Sequence, residues 1–205
     1  MKTRHLWPAA LSVLVLSVAV SAELYTTSDA AAPITDNGGA LNDCQTISVP
    51  DNLVISDVEV EITAAHTFAG DLTFELTSPA ATALTLVNRP GRTGTGFGNG
   101  DDLQDATPLR FSDSAPSGAS AETMGDAPCG GPIDGSADCP DNYLPAPDAA
   151  DVPVAGQGTD FSDFAGESSM GVWTLCASDS AGGDTGTLTS WTLGVNEAVP
   201  VELMG

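Results

Sequence analysis

Apolar and polar residues alternate with a period of two along several short stretches of this chain, the signature of half-buried β-strands. Val58, Val60 and Ile62 alternate with Glu59 and Glu61, and Leu72, Phe74 and Leu76 alternate with Thr73, Glu75 and Thr77. Leu84 and Leu86 flank Thr85. Trp173, Leu175 and Ala177 share one face, with Thr174 and Cys176 on the other. Trp191, Leu193 and Val195 share a face too, but Leu188 falls on the wrong parity, which predicts a bulge near Thr189 and Ser190. No stretch after residue 22 sustains a helical period, and glycine and proline punctuate the whole chain. Short strands with one wet face predict an all-β protein, an antiparallel sandwich or jelly roll. Aromatics are only 5% of the residues, so Trp173, Trp191, Phe68, Phe74 and Phe111 are expected to carry much of the packing. Burying one large apolar side chain contributes roughly 1.5–3 kcal/mol.

The ends and one internal stretch depart from this pattern. Lys2 and Arg4 precede an apolar run from Leu6 to Val20, and Val20-Ser21-Ala22 stands before Glu23. That order describes a secretory signal peptide over residues 1–22, and the run is shorter than the roughly 20 residues needed to span a bilayer. The expected location is therefore extracellular or periplasmic. Residues 23–33 read as a polar lead-in, and the turn-like Asp36-Asn37-Gly38-Gly39 follows. The sandwich is expected over residues 34–196. Within it, residues 114–158 turn to Ala, Gly, Pro, Ser and Asp, a composition that cannot bury a core of its own. They are expected to form one long irregular surface insertion. Residues 197–205 read as a C-terminal linker or tail, and no internal repeat is found.

Charge narrows the partners. The full chain carries 28 acidic residues against five Lys and Arg, a net charge of −23. Loss of residues 1–22 removes Lys2 and Arg4 and no carboxylate, which takes the net charge to −25 and leaves Arg89, Arg92 and Arg110. Such a surface repels phosphate backbones and anionic lipid, so neither nucleic acid nor membrane insertion is expected. Calcium outside the cell is a candidate ligand, with Asp71, Asp101, Asp102, Asp179 and Asp184 in or beside turns as candidate donors. A surface kept soluble in salt by self-repulsion is the competing explanation. The EF-hand spacing and the calcium β-roll nonapeptide are absent.

Four cysteines in an exported chain allow three pairings into two disulfides. Cys129 and Cys139 bracket a Gly/Pro/Asp loop as natural local partners, which leaves Cys44 with Cys176. Chain-entropy arguments give about 3 kcal/mol for the short loop and about 5 for the long one, both upper bounds. Zinc is disfavoured, since no Cys-x-x-Cys spacing occurs and His66 is the one histidine after residue 22.

Several short motifs then fall in a recognisable order. Ile34-Thr35-Asp36-Asn37 is followed by His66-Thr67, Gly70-Asp71-Leu72 and Ser78-Pro79. Asp101-Asp102-Leu103 and Phe111-Ser112-Asp113 occupy the middle. Gly166-Glu167, Gly171-Val172-Trp173-Thr174-Leu175, Asp184-Thr185-Gly186-Thr187-Leu188 and Ser190-Trp191-Thr192-Leu193 close the series. The set resembles the P domain, or homo B domain, that follows the catalytic domain in kexin- and furin-like subtilisin proteases. The resemblance runs from about Ile34 to Val195 and implies a jelly-roll sandwich of about eight strands. It implies a non-catalytic role: packing on, and stabilising, a subtilisin-like serine endopeptidase domain. His66, Gly70, Asp71, Trp173, Asp184, Gly186 and Trp191 are the motif positions it singles out. Ala65 is smaller than the residue usual before that histidine, and the Cys129–Cys139 segment has no counterpart.

The chemistry on offer agrees with a module that does not itself cleave bonds. A serine protease needs a nucleophile, an imidazole base and an orienting carboxylate. Ser168-Ser169-Met170-Gly171 superficially resembles the Ser-Met pair of a subtilisin nucleophile. The strand pattern Val172-Trp173-Thr174-Leu175 follows it, where a nucleophile would open a helix, and the Gly-x-Ser-x-Gly spacing is absent. His66 is expected to bond neighbouring backbone or Asp71. The glycine run Gly91–Gly100 has neither nucleotide-binding spacing. The alternative function is a free-standing extracellular module that binds a protein or glycan through the 114–158 loop, with or without calcium.

Overall fold

The computed structural model describes residues 22–126, Cys129, 131–135, 139–146 and 158–198. The expected signal peptide, save Ala22, and the tail beyond Ala198 lie outside these residues, as does part of the insertion. Ten strands occur among the described residues: β1 (Glu23–Thr26), β2 (Ala32–Ile34), β3 (Asp43–Val49), β4 (Ile55–His66), β5 (Leu72–Thr77), β6 (Ala83–Asn88), β7 (Leu109–Phe111), β8 (Asn142–Tyr143), β9 (Gly171–Asp179) and β10 (Gly186–Glu197). They form two sheets. One runs β1-β10-β4-β7-β8, with β2 also paired to β10, and the other runs β3-β9-β5-β6. The protein is a two-sheet, antiparallel-rich β-sandwich.

The alternation read from the sequence sets the inner faces. Val58, Val60, Ile62 and Ala64 of β4 lie opposite Val195, Leu193, Trp191 and Leu188 of β10, and all are buried. Phe74 and Leu76 of β5 and Trp173, Leu175 and Ala177 of β9 fill the other inner face. The register of β4 against β10 shifts between Leu188 and Ser190, so the bulge lies where the parity of Leu188 placed it. That shift lets Leu188 and Trp191 both point into the core.

Several expectations need correction. Residues 23–33 are more than a lead-in: β1 pairs with β10 at Glu23–Thr26, and Ala32 and Pro33 of β2 pair with Leu188 and Thr187. These strands were hidden because each is only three or four residues long, and β1 buries no residue fully while β2 buries only Ile34. Phe68 sits only partly buried outside the core, whereas Phe161, Phe164 and Tyr143 are fully buried. Thr85 is buried between Leu84 and Leu86, so β6 has no wet face. The insertion accounts for this: the Ala146 N–H donates to the Leu86 carbonyl and the Gly158 N–H to that of Ala83, taking up the free edge of β6.

The insertion is also less superficial than its composition suggests. Ala121, Met124, Ile133 and Tyr143 join the main core. Its strand β8 runs parallel to β7, with Arg110 opposite Asn142 and Phe111 opposite Tyr143, against the antiparallel expectation. A chain that leaves β7 and returns 30 residues later reaches the sheet edge from the same end, which makes the pair parallel. Both disulfides follow the expected pairing. Cys44 and Cys176 lie directly opposite on β3 and β9, Cα atoms 4.0 Å apart, and Cys129–Cys139 closes a short loop of the insertion.

Candidate functional site

Five of the motif residues, His66, Gly70, Asp71, Asp184 and Gly186, gather at one end of the sandwich, where β4 ends at His66, β9 ends at Asp179 and β10 begins at Gly186. His66 is 2% exposed and Asp179 fully buried. The His66 Nε2 lies 3.2 Å from Asp179 Oδ2, which joins β4 of one sheet to β9 of the other. The Nδ1 lies 3.1 Å from the Phe68 N–H and 2.9 Å from the Phe68 carbonyl oxygen. With Nε2 donating to the carboxylate of Asp179, a neutral ring accepts at Nδ1 from Phe68 N–H, and a protonated ring donates there to the carbonyl. Both nitrogens are engaged in either form. The backbone bond to Phe68 was expected, but the carboxylate partner is Asp179 rather than Asp71. Asp71 is turned toward a cation.

That cation is Arg89, whose Nη2 stands 3.1 Å from Asp71 Oδ1 while its Nε donates to the Gly70 carbonyl at 3.2 Å. Burial pushes the Asp71 carboxyl above the ordinary range, the negative charge of Asp179 adds to the effect, and Arg89 opposes it. Asp71 and Gly70 belong to a 3-10 turn, Ala69–Asp71, between β4 and β5. A methyl group on Gly70 would fall 2.4 Å from the Asn99 nitrogen and 2.6 Å from the Gly98 carbonyl carbon, so only glycine admits this backbone contact. Gly186 performs the same service beneath the imidazole: an added Cβ would lie 2.3 Å from His66 Cδ2. Asp184 accepts the Thr67 hydroxyl at 2.9 Å, and Thr67 and Thr185 exchange further bonds.

The five aspartates named as calcium donors share this end without forming one ligand set. Asp71, Asp179 and Asp184 are held by Arg89, His66 and Thr67. Asp101 and Asp102 are tied through their carbonyls to the N–H groups of Ala69 and Ile133. No group of three or more His, Cys, Asp or Glu side chains among the described residues is placed to hold a metal ion. These residues do not fit a single calcium cage.

The two tryptophans sit in the core with different hydrogen bonding. Trp173 donates its indole N–H to the Ser169 carbonyl at 2.9 Å and packs 5.4 Å, centroid to centroid, from Phe164. The Trp191 indole N–H has no acceptor among the described residues. Ser168 and Ser169 donate their hydroxyls to Asn52 Oδ1 and the Asp51 carbonyl, each at 2.6 Å. The serine pair thus fastens the start of β9 to the segment before β4, and His66 bonds to neither hydroxyl. Sequence reasoning assigned no role to Arg89, or to Glu167 beyond its place in the motif series. Glu167 accepts the hydroxyls of Ser78 and Thr82 and locks the Ser-Pro turn after β5. The available signal for Arg89 was its rarity, one of three arginines after residue 22 amid 28 carboxylates.

Fold and site together define a β-sandwich whose buried His–Asp pair ties its two sheets. The chain belongs to the proprotein convertase P-domain family, whose model matches residues 55–119 and 154–195, just over half of its length. No curated protein matches it. Among solved structures it is similar to the serine protease of Aeromonas sobria in complex with the chaperone, at 17% identity and a TM-score of 0.40. A second structure of that serine protease gives 18% and 0.39. These matches cover 87% and 86% of this chain but only 28% and 27% of theirs.

Proposed function

We propose that this chain is an exported, non-catalytic P domain that packs on a subtilisin-like serine endopeptidase domain and raises its stability. The observation that carries the reading is how the family's motif residues are used. His66, Gly70, Asp71, Trp173, Asp184 and Gly186 all hold the sandwich together. A chain whose imidazole is bonded at both nitrogens offers no base to a hydroxyl, so its contribution to proteolysis lies in the surface it presents. Two disulfides and the basic, apolar, small-residue start of the chain support an oxidising compartment outside the cytosol.

Calorimetric titration tests the proposal, with the purified chain added to a subtilisin-like catalytic domain from the same secretome that lacks a sandwich of its own. Saturable one-to-one binding is expected, and titrations in calcium and in chelator separate a calcium requirement from binding itself. Absence of binding in both solutions overturns the proposal.

A further inference from the structure

The loop between β6 and β7 carries a feature that neither the sandwich nor the family role uses. Residues 91–97 form a glycine-rich excursion, exposed except at the half-buried Arg92 near its start, with Phe97 64% exposed. The base is fixed: the Gly91 N–H donates to the Glu122 carbonyl, Asn99 to Pro90, and Gly70 to Asn99. Gly98 rests against Gly70 so closely that a Cβ on it would stand 2.8 Å from the Gly70 Cα. Above that base the Arg92 N–H donates to the Arg89 carbonyl, the Gly96 N–H to that of Thr93, and Arg92 Nε to that of Gly96, each within a turn. No residue from 91 to 97 belongs to the core. Opening this segment into an extended strand therefore exposes no core residue, and Gly94 and Gly96 lower the conformational barrier.

The other two arginines are held by their backbone setting rather than by burial alone, for the Arg110 side chain is 46% exposed. Arg89 is 12% exposed at its side chain, bonded to Asp71 and Gly70, and followed by Pro90, which removes the N–H on the leaving side. Arg110 lies in the middle of β7, between β4 and β8; its guanidinium bonds Glu61 at 2.6 Å and Asp141 at 3.0 Å. No lysine follows residue 22. Arg92 is thus the one basic residue after residue 22 that lies on a loop outside the strands and is not followed by proline.

We propose that the Arg92–Thr93 peptide bond is a processing site for an arginine-specific endopeptidase, and that the product is a two-chain protein held by Cys44–Cys176. Water adds at the Arg92 carbonyl carbon and the bond to the Thr93 nitrogen breaks. Arg92 is left with a carboxylate and Thr93 with a free amine. Cys44 precedes the cut and Cys176 follows it, so the disulfide spans the two pieces. The pieces also share the pairs β4–β10, β4–β7 and β5–β9.

The test uses trypsin on the folded, oxidised protein, with Arg92→Gln beside it and near-ultraviolet circular dichroism to confirm that both are folded. A single cut is expected, with a new N-terminus at Thr93, one species on a non-reducing gel and two on a reducing gel. Arg92→Gln is expected to stay intact over the same period. First cleavage after Arg89 or Arg110, or a wild-type chain that survives as long as Arg92→Gln, overturns the site. Separation of the pieces without reductant overturns the two-chain product.

Discussion

His66 of β4 and Asp179 of β9 meet 3.2 Å apart inside the sandwich, and through them the last residue of one sheet's strand holds the last residue of the other's. Removing the imidazole leaves a fully buried carboxylate without its partner, which costs about 3–5 kcal/mol. For a domain of this size, His66→Ala is expected to lower the melting temperature by roughly 10 °C. Asp179→Asn in the same background is expected to add much less than it costs alone, because the two act as a pair. Thermal melts of the four proteins check this, and strict additivity would show that the contact does not couple the sheets.

Gly186 supplies the space for that imidazole. Gly186→Ala places a Cβ 2.3 Å from His66 Cδ2 and 2.6 Å from the Ala65 carbonyl oxygen, so either the ring or the β4–β10 pairing must move. Overpacking of this kind costs about 1–3 kcal/mol or more. Gly194→Ala, on the same strand, brings a Cβ no nearer than 3.3 Å to the mobile end of Leu24 and is the control. Its effect is expected to stay below about 1 kcal/mol. Chemical denaturation of the two variants measures the difference, and equal losses would contradict the account of the site.

The tryptophans separate packing from hydrogen bonding. Trp173→Phe loses the bond to Ser169 as well as volume, whereas Trp191→Phe removes an indole N–H that no described protein atom accepts. Trp173→Phe is therefore expected to be the more destabilising by about 1 kcal/mol. Urea midpoints give the comparison, and a larger loss at Trp191 would mean that its N–H is satisfied in solution.

How much of this was visible in the sequence depends on whether a residue's role is local. The strands β4, β5, β9 and β10 were legible because each has one wet and one buried face, and the bulge near Thr189 followed from the parity of Leu188 alone. Strands β1, β2 and β8 escaped because two to four residues are too few to display an alternation, although Ile34 and Tyr143 are buried. The motif residues were legible as a set, yet the partner of His66 was not. Asp71 is five residues away in sequence and Asp179 is 113, and only the closing of two sheets decides between them. Arg89, with a positive φ of 53° at the end of β6, carries no motif and became meaningful only beside Asp71.

Asp113 contributes a pH dependence to this architecture. Its carboxylate accepts from the N–H groups of Phe161 and Ser162, closing the 3-10 helix Phe161–Phe164 against the sandwich. Burial raises its pKa above the ordinary carboxylate value, the bond from Phe161 opposes this, and the charge of Asp160 adds to the rise. With the folded value above the unfolded one, the native state binds the extra proton, so this group favours folding in acid. That contribution is complete below the unfolded value and disappears as pH climbs through the raised folded value. The stability of wild type relative to Asp113→Asn is therefore expected to improve as pH falls through the carboxylate range. Paired melts at stepped pH measure it, and a gap that narrows toward acid would reverse the assignment.

Heat inactivation of a partner protease tests the central claim most directly. A subtilisin-like catalytic domain without its own sandwich is incubated at a temperature where it loses activity, with this chain at rising concentration, and residual peptidase activity is followed. The account predicts a half-life that lengthens to saturation at one chain per enzyme, with His66→Ala, unfolded at that temperature, giving no protection. A half-life indifferent to the chain would contradict it, as would hydrolysis by the chain itself that disappears in His66→Ala.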